Sequence, residues 1–394
     1  MTKAAWLSVL LLSGPAFAAG FALPEQDARS LGMAGTGVGS AEGAATIFYN
    51  PGATAFEDGM SAEVSLITLV PLFDHENGGV KTEANTRPNF APTLFVEAPV
   101  MEHLYLGLGA YSAFGARITW PSDFAGRFEG SSSTLTTFQV NPTVSYRIND
   151  ALSVGAGVDI VRAAVELDRQ LDFVSTEGSL RLGGGTWGVG GNAGLQARLM
   201  HERMRLGVSY RSAVSLSFDG RADFTVPPEL QSQLKDQDVR TSITLPHVIS
   251  AGWGFAVTPR FSVAIDASYT TWSVLKSIDL HFDDPSLDQS LRRDWVNTIT
   301  VRGGVEYALS RELKLRGGVG FDPTPSPSDT TSPSLPDASR ILASVGVGYR
   351  LGNFNVDASY MFADLLPNQT TGDAFPGTYT GMAHVAALTV SFRQ

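Results

Sequence analysis

The residue types that most often perform catalysis or bind metals are few and scattered in this chain. None of the six histidines pairs with another at metal-site spacing, and no G-x-S-x-G sequence that would hold a nucleophilic serine occurs. The chain has no cysteine, which excludes thiolate metal sites and disulfides. We therefore expect no enzyme, no metal site and no cofactor. The histidines are His75, His103, His201, His247, His281 and His384.

Two glycine-rich stretches, "GLGAYSAFG" and "RLGGGTWGVGGNAG", resemble phosphate-binding loops in composition. Such a loop cradles phosphate because a helix N-terminus follows it, and neither stretch precedes a helical pattern. The formal net charge of −11 also argues against nucleic acid, since a polyanion needs a basic surface. We predict no nucleic-acid partner.

Much of the chain after the N-terminal region shows apolar–polar alternation of period two, which is typical of strands. One clear example has an apolar face, Phe354-Val356-Ala358-Tyr360-Phe362, opposite Asn355, Asp357 and Ser359. A soluble β-sandwich also alternates. Two features favour a membrane barrel: the apolar faces are about ten residues long, and short turns alternate with long loops.

The N-terminal region consists of a predicted signal peptide followed by a separate segment. Lys3, an apolar run over residues 4–12 and the small-x-small site at residues 16–18 indicate a signal peptide over residues 1–18. We expect residues 19–59, a small-sided segment rich in glycine, to form a hatch (plug) inside the barrel. A solvated periplasmic tail is the alternative, but Ile47-Phe48-Tyr49 is too apolar for one.

Residues 60–394 are predicted to form the barrel. The fold class is all-β, a fourteen-stranded antiparallel transmembrane β-barrel with an N-terminal hatch, and an even strand number places both ends in the periplasm. The predicted strands are 60–74, 89–100, 103–119, 132–147, 151–167, 186–200, 204–219, 241–257, 260–280, 293–309, 312–322, 339–351, 354–364 and 378–393.

Several stretches together resemble the FadL-type outer-membrane transporters of long-chain fatty acids and other hydrophobic compounds. They include Ala19-Gly20-Phe21, Asn50-Pro51-Gly52, Ser112-Ala113-Phe114-Gly115, "LGVSYRSAVSLSFDG" and "LPHVISAGWGFAVTPRFSVAIDASYTTWS". The resemblance covers nearly the whole mature chain. It implies a fourteen-stranded barrel with a hatch, in agreement with the strand count above.

The resemblance also implies site residues. Phe21, Asn50, Pro51 and Gly52 would belong to the hatch. Ser112, Ala113, Phe114 and Gly115 would bend the third strand inward and open a lateral gate in the wall. Asn50 and Pro51 would pack near this kink, where an asparagine can bond backbone groups that a broken ladder leaves unpaired. A glycine inside a strand by itself indicates only a bulge or a bend.

Two arginines are further candidates for ligand binding. Arg169 matches a basic residue that meets the ligand carboxylate in fatty-acid members of the family, and Arg293 is the nearest candidate for a second basic contact. A guanidinium beside an apolar pocket can hold a carboxylate through two hydrogen bonds. The alternative is a rim arginine paired with Asp168 or Asp172.

Apolar residues in two predicted loops, 168–185 and 220–240, favour a site where ligand is captured. Phe173, Leu230 and Leu234 are the main candidates, and Pro227-Pro228-Glu229 is predicted to start a short helix. The alternative is that these loops pack together and seal the barrel.

The sequence therefore predicts an outer-membrane channel for diffusion-driven uptake of hydrophobic molecules, with lateral exit through the wall. Its partners would be a long-chain fatty acid or similar compound, outer-membrane lipid and lipopolysaccharide, and the barrel assembly machinery, with the chain as a monomer. A water-filled porin for polar solutes and a structural or adhesive barrel are the alternatives.

The alternation of short turns and long loops predicts which positions face the outside. Epitope tags inserted near Asp329 and Gln369 should be accessible to antibody on intact cells, because both positions lie in long connections. Tags at Asn149 or Glu312, in short turns, should react only after the outer membrane is permeabilised. Labelling of the short-turn tags on intact cells would contradict the predicted orientation.

Overall fold

The computed structural model describes residues 20–174, 176–371 and 375–394. The predicted signal peptide lies outside these residues. Within them, one antiparallel sheet closes on itself, because β1 pairs with both β3 and the last strand, β20. The strands are β1 (Ser61–Asn77), β2 (Val80–Glu83), β3 (Asn89–Met101), β4 (Leu104–Tyr111), β5 (Gly115–Thr119), β6 (Ser132–Asn149), β7 (Leu152–Asp172), β8 (Glu177–Leu199), β9 (Met204–Arg211), β10 (Val214–Thr225), β11 (Gln237–Leu245), β12 (Val248–Thr258), β13 (Phe261–Thr270), β14 (Ser277–Phe282), β15 (Gln289–Arg292), β16 (Thr298–Ala308), β17 (Leu313–Asp322), β18 (Arg340–Leu351), β19 (Phe354–Thr370) and β20 (Gly377–Arg393).

The described segments make up fourteen barrel strands, as predicted from the sequence. β2 and β15 are short hairpin partners of β1 and β14. Four barrel strands are each interrupted, giving the pairs β4 and β5, β9 and β10, β11 and β12, and β13 and β14. No helix among the described residues is long and apolar enough to span a membrane.

The outer face of the barrel is apolar, and the inner face is polar near the short turns. On β1, Val64 and Leu66 are 57% and 46% exposed, whereas Glu63 and Ser65, which point inward, are buried. Farther along the same inner face, Ile67 is also buried, so the lining becomes apolar toward the long loops. A soluble protein would have the opposite arrangement, with its apolar side chains inside.

Several strands are longer than the sequence predicted. β7 continues to Asp172, β8 already begins at Glu177, and β19 continues to Thr370, whereas β20 begins at Gly377, within one residue of the prediction. The predicted long loops 168–185 and 365–377 are therefore mostly hairpin. The apolar pattern marked only the lipid-facing length, and polar pairs carry these ladders farther into water.

Other strands are shorter or interrupted where continuous strands were predicted. β13 ends at Thr270 and β16 begins at Thr298, although strands were predicted over residues 260–280 and 293–309. A 3-10 helix, Trp272–Val274, turns the chain away from the ladder between β13 and β14. The remaining 3-10 helices are Ala53–Phe56, Ala125–Phe128, Pro228–Leu230 and Pro285–Leu287.

The N-terminal segment, residues 20–59, is compact and almost entirely buried. It contains the helices α1 (Ala28–Leu31) and α2 (Thr46–Tyr49) and the 3-10 helix Ala53–Phe56. Gly37 and Val38 donate backbone N–H groups to Asp266 of β13 at 2.6 and 2.8 Å.

Side chains of other strands bind the same segment from other directions. Ser145 and Ser153 donate to the carbonyl oxygens of Pro51 and Gly52, both at 2.6 Å. The Ala28 N–H donates to Thr389 at 2.8 Å. The segment is thus bound to inward-facing residues of β6, β7, β13 and β20.

Glycines allow this close packing on the inner wall. A Cβ atom at Gly207 of β9 would lie 2.0 Å from the carbonyl oxygen of Val38. A Cβ atom at Gly194 of β8 would lie 2.1 Å from Oδ1 of Asn50. The glycines that weaken a strand therefore create the space that the N-terminal segment occupies.

Replacement of Asp266 by leucine should loosen the N-terminal segment. The substitution leaves two buried backbone N–H groups without their acceptor, at a cost of roughly 1–3 kcal/mol each. Limited proteolysis of the purified protein, followed by mass spectrometry, should show faster cleavage within residues 20–59.

Ile265→Leu, on the lipid-facing side of the same strand, is the matched control and should cleave at the wild-type rate. Equal protection of Asp266→Leu and the wild type would show that this carboxylate does not hold the segment.

Candidate functional site

The barrel wall is interrupted next to the predicted kink. β4 ends at Tyr111 and β5 begins at Gly115. β4 pairs with β3 as far as Leu94 and Ala110. Beyond that point, among the described residues, β5 has ladder pairs with β6 and none with residues 89–93 of β3. We call this break between β3 and β5 the wall gap.

The first residues of the N-terminal segment fill the wall gap. Ala22 forms an antiparallel bridge with Phe114. The Leu23 N–H donates to the Ala113 carbonyl at 2.7 Å, and the Gly115 N–H donates to the Phe21 carbonyl at 2.8 Å. Residues 21–23 therefore act as a short extra strand along the kink.

Gln26 connects the two edges of the wall gap. Its side-chain amide donates to the carbonyl oxygen of Ser112 at 2.8 Å, on the kinked edge. Its own carbonyl oxygen accepts a hydrogen bond from Thr93 of β3, also at 2.8 Å. The N-terminal segment thus satisfies backbone groups that the broken ladder leaves unpaired.

Asn50 does not supply these hydrogen bonds, and the expectation that it would is wrong. Its amide donates to the carbonyl oxygens of Val38 and Leu195 at 3.0 Å and to Gln196 at 2.8 Å. Asn50 therefore fixes the segment to β8, while the carbonyl oxygens of Pro51 and Gly52 bind β6 and β7. A backbone strand pairs with the kink more completely than one side-chain amide can.

An aromatic cluster lies beside the wall gap. Phe21 contacts Trp272 and Trp295, with ring centroids 4.7 and 5.6 Å away, and Phe114 lies 6.1 Å from Phe21. Trp272 and Trp295 are themselves 5.2 Å apart in an edge-to-face arrangement. Both tryptophans fall outside the strands, in breaks that the alternation pattern did not reveal, and sequence reasoning missed their role.

An apolar cavity lies on the long-loop side of this cluster. We call it the upper cavity; it encloses about 740 Å³, including its open end. Its apolar lining is Phe21, Ala116, Leu135, Val165, Leu167, Leu182, Ile243, Leu275, Ile278, Leu280, Leu291 and Leu335.

Arg293 lies at the edge of the upper cavity and is 5% exposed. Its guanidinium donates to Ser332 at 2.7 Å and to Ser334 at 2.9 Å, while its buried Nε has no hydrogen-bond partner among the described residues. Burial lowers the pKa of Arg293 to about 10, so the group remains charged at neutral pH.

Arg169 lies near the outer end of β7, the fifth barrel strand. It lines a small cavity with Glu129 and with several leucines that also line the upper cavity. Its Nε is buried without a partner among the described residues, and its neighbour Asp168 pairs with Arg181 at 2.9 Å instead. The two candidate arginines thus border one leucine-lined region.

Phe173, Leu230 and Leu234 lie outside this region. The N–H of Phe173 donates to Thr176 at 3.0 Å in the tip of the β7–β8 hairpin. Leu230 ends the 3-10 helix Pro228–Leu230, and the N–H of Leu234 donates to it at 2.9 Å, so the predicted helical turn is confirmed. The buried apolar cluster at this end consists of the strand residues Leu180, Leu182, Ala222, Val239, Leu280 and Phe282.

A second cavity lies on the short-turn side of the aromatic cluster. This lower cavity has an apolar side, formed by the N-terminal segment and the kink, and a polar barrel wall. Its apolar side includes Ala22, Leu23, Pro24, Val38, Phe48, Tyr49, Pro51, Ala113 and Phe114. Its polar wall includes Asn192, Ser209, Arg211, Ser250, Asp266, Ser268, Thr298, Thr300, Arg302 and Asp322.

A buried polar triad beneath the kink was also missed by sequence reasoning. Arg211 donates to Asp159 at 2.6 Å and to Tyr111 at 2.8 Å, and Tyr111 donates to Asp159 at 2.8 Å. The guanidinium also lies 4.9 Å from the centre of the Phe48 ring. A charged residue at the end of the apolar stretch "LGVSY" was the available signal.

Comparison with known proteins identifies relatives along the whole chain. A family model described as outer membrane protein transport protein (OMPP1/FadL/TodX) matches residues 9–393. A long-chain fatty acid transport protein of Escherichia coli O6:H1 is 27% identical over 400 residues, covering 90% of this chain and 89% of the relative. Outer membrane protein P1 of Haemophilus influenzae is 25% identical over 407 residues, covering 90% and 88%.

Solved structures share the fold. A Pseudomonas aeruginosa FadL homologue superposes with a TM-score of 0.88 at 21% identity, covering 95% of this chain and 100% of the homologue. The toluene transporter TodX of Pseudomonas putida gives a TM-score of 0.76 at 20% identity, covering 94% and 99%. At these identities, the likeness establishes the barrel architecture.

Proposed function

The chain belongs to the OMPP1/FadL/TodX family of outer membrane transport proteins, and we propose that it carries small hydrophobic molecules across the saccharide layer and releases them into the membrane. Its relatives are named for long-chain fatty acids and for toluene. The cargo would move down its concentration gradient. No catalytic step is part of the proposal, and residues 20–59 serve as the hatch.

The two cavities and the aromatic cluster define the path. Cargo would rest in the upper cavity, where leucines replace water around it. The rings of Phe21, Trp272 and Trp295 stand between this cavity and the lower one. Because Phe21 belongs to the hatch, a shift of the first hatch residues would both open the cluster and uncover the wall gap.

The observation that carries the proposal is the way the wall gap is closed. A continuous ladder would seal the wall with many cooperative hydrogen bonds. Here the seal is residues 21–26, held at the kink by a few backbone hydrogen bonds, each with a net value of about 0.5–1.5 kcal/mol. Such a seal can be displaced at modest cost, and the barrel strands stay paired elsewhere.

Lateral release also avoids water. Moving an apolar chain from the lumen into the periplasm would expose it, at a cost of about 0.8 kcal/mol for each CH₂ group. Release through the wall gap transfers the cargo from one apolar environment to another. The apolar side of the lower cavity, which includes Ala113 and Phe114 of the kink, leads to this gap.

Deletion of residues 112–114 should close the route. The deletion joins Tyr111 directly to Gly115 and keeps Tyr111 and Ala116 on the same face, since strand side chains alternate with a period of two. A straight strand could then pair with β3, and uptake of radiolabelled palmitate or toluene by cells should fall to the level of cells without the protein.

Replacement of the same three residues by alanines keeps the length of the kink and is the matched control, which should retain uptake. Heat-modifiable gel mobility reports barrel folding for both variants. A folded deletion variant with undiminished uptake would rule out lateral release through the wall gap.

The chemical class of cargo can be tested at Arg169. We propose that its guanidinium holds a carboxylate head group, which the free buried Nε beside a leucine-lined cavity supports. Arg169→Ala should weaken palmitate binding by roughly 1.5–3 kcal/mol, the range for a hydrogen bond to a charged group, and should leave toluene binding nearly unchanged. Fluorescence displacement on purified protein measures both.

Arg181→Ala is the matched control. Arg181 lies on β8 next to β7, but its side chain pairs with Asp168 on the outer face and not with the cavity. It should change neither affinity. Equal losses for palmitate and toluene in Arg169→Ala would mean that Arg169 supports the local structure and does not select acids.

A further inference from the structure

A second interruption of the barrel wall lies between β11 and β14. These strands pair at Arg240 and His281, near the long-loop end. The ladder resumes at Val248 of β12, opposite β13. Between these points, residues 241–246 and 272–280 face each other without ladder pairs among the described residues. We call this break in the ladder the side opening.

Both edges of the side opening line the upper cavity. Thr241 and Ile243 contribute from β11, and Leu275, Ile278 and Leu280 contribute from the opposite edge. The hydroxyl oxygen of Thr241 is buried and has no hydrogen-bond partner among the described residues. The upper cavity therefore borders both edges of the break.

The side opening begins where the lipid-facing band ends. Immediately below it, Ile249 and Tyr269 point outward and are 45% and 38% exposed, as expected of an apolar face ending in an aromatic girdle. At the level of the opening, the exposed residues are mostly polar, including Ser242 and Asp279, and Val274 is an apolar exception at 37% exposed. Unpaired backbone groups are tolerated here because water and lipid head groups can bind them, which the hydrocarbon core cannot do.

We propose that the side opening is an entrance through which hydrophobic molecules gathered at the outer surface of the membrane pass directly into the upper cavity. An apolar molecule accumulates at this boundary because transfer out of water is favourable by about 0.8 kcal/mol per CH₂ group. The inference rests on the proposed transport of hydrophobic cargo and adds a lateral route inward.

The side opening and the wall gap have different positions and connections. The wall gap lies between β3 and β5, is filled by residues 21–26, and adjoins the lower cavity. The side opening lies between β11 and β14 and adjoins the upper cavity. The aromatic cluster of Phe21, Trp272 and Trp295 lies between the two cavities, so cargo would enter through one break and leave through the other.

A removable block at the side opening tests the proposal. The chain has no cysteine, so Ser242→Cys can be labelled at one position with a bulky methanethiosulfonate reagent and then restored with a reducing agent. Labelling should remove most of the protein-dependent uptake of palmitate and toluene by cells, and reduction should restore it. Equilibrium binding of both compounds to the labelled protein in detergent should be unchanged, because Ser242 lies on the exposed face and does not line the upper cavity.

The matched control is Asp238→Cys, which places the same label on the same exposed side of β11, beyond the pair at Arg240 and His281. Its labelled form should retain uptake. The proposal is overturned if uptake by fully labelled Ser242→Cys is unchanged, if the Asp238 label lowers uptake equally, or if the Ser242 label weakens binding as much as uptake. Failure of the proposed transport function would be recognised separately. In that case, cells with the unlabelled proteins would take up no more palmitate or toluene than cells without the protein.

Discussion

Every backbone N–H and C=O group in the hydrocarbon core must find a partner within the protein, and the arrangement of this molecule follows from that requirement. A closed ladder satisfies it along most of the barrel. At the kink, where β5 leaves β3, the partner comes from residues 21–23 of the N-terminal segment. The gap in the wall and the segment that fills it are therefore one structural unit, in which the segment supplies backbone partners that the broken ladder lacks.

The same requirement explains how the N-terminal segment is held. Residues 21–23 pair with the kink, and farther along the segment side chains of the inner wall bind its irregular backbone, as Asp266 does for Gly37 and Val38. Glycines such as Gly207 remove the side chains that would keep the backbones apart. A polar inner surface near the short turns is thus a consequence of carrying an irregular segment inside the barrel.

The interior changes character along its length, and the proposed path follows this change. Leucines line the upper cavity. The lower cavity has an apolar side, formed by the N-terminal segment and the kink, and a polar barrel wall. The aromatic cluster around Phe21 lies between them. The upper cavity stabilises cargo that is apolar throughout. The lower cavity stabilises such cargo only along the apolar side that leads to the wall gap.

Local pattern in the sequence determined the class of fold, because alternation of period two and the spacing of turns are properties of neighbouring residues. The strand number and the position of the kink at Gly115 came from the same signals, together with the family resemblance. Tertiary structure decided what closes the kink. Phe21 and Asn50 both belong to the predicted hatch, yet the backbone next to Phe21 fills the gap, whereas Asn50 binds β8. The contact of Trp272 with Phe21 also joins residues far apart in the chain. The break between β11 and β14 likewise lies between two segments that are distant in sequence. Such contacts depend on where the closed barrel brings distant segments together, and no local spacing of residues encodes that distance.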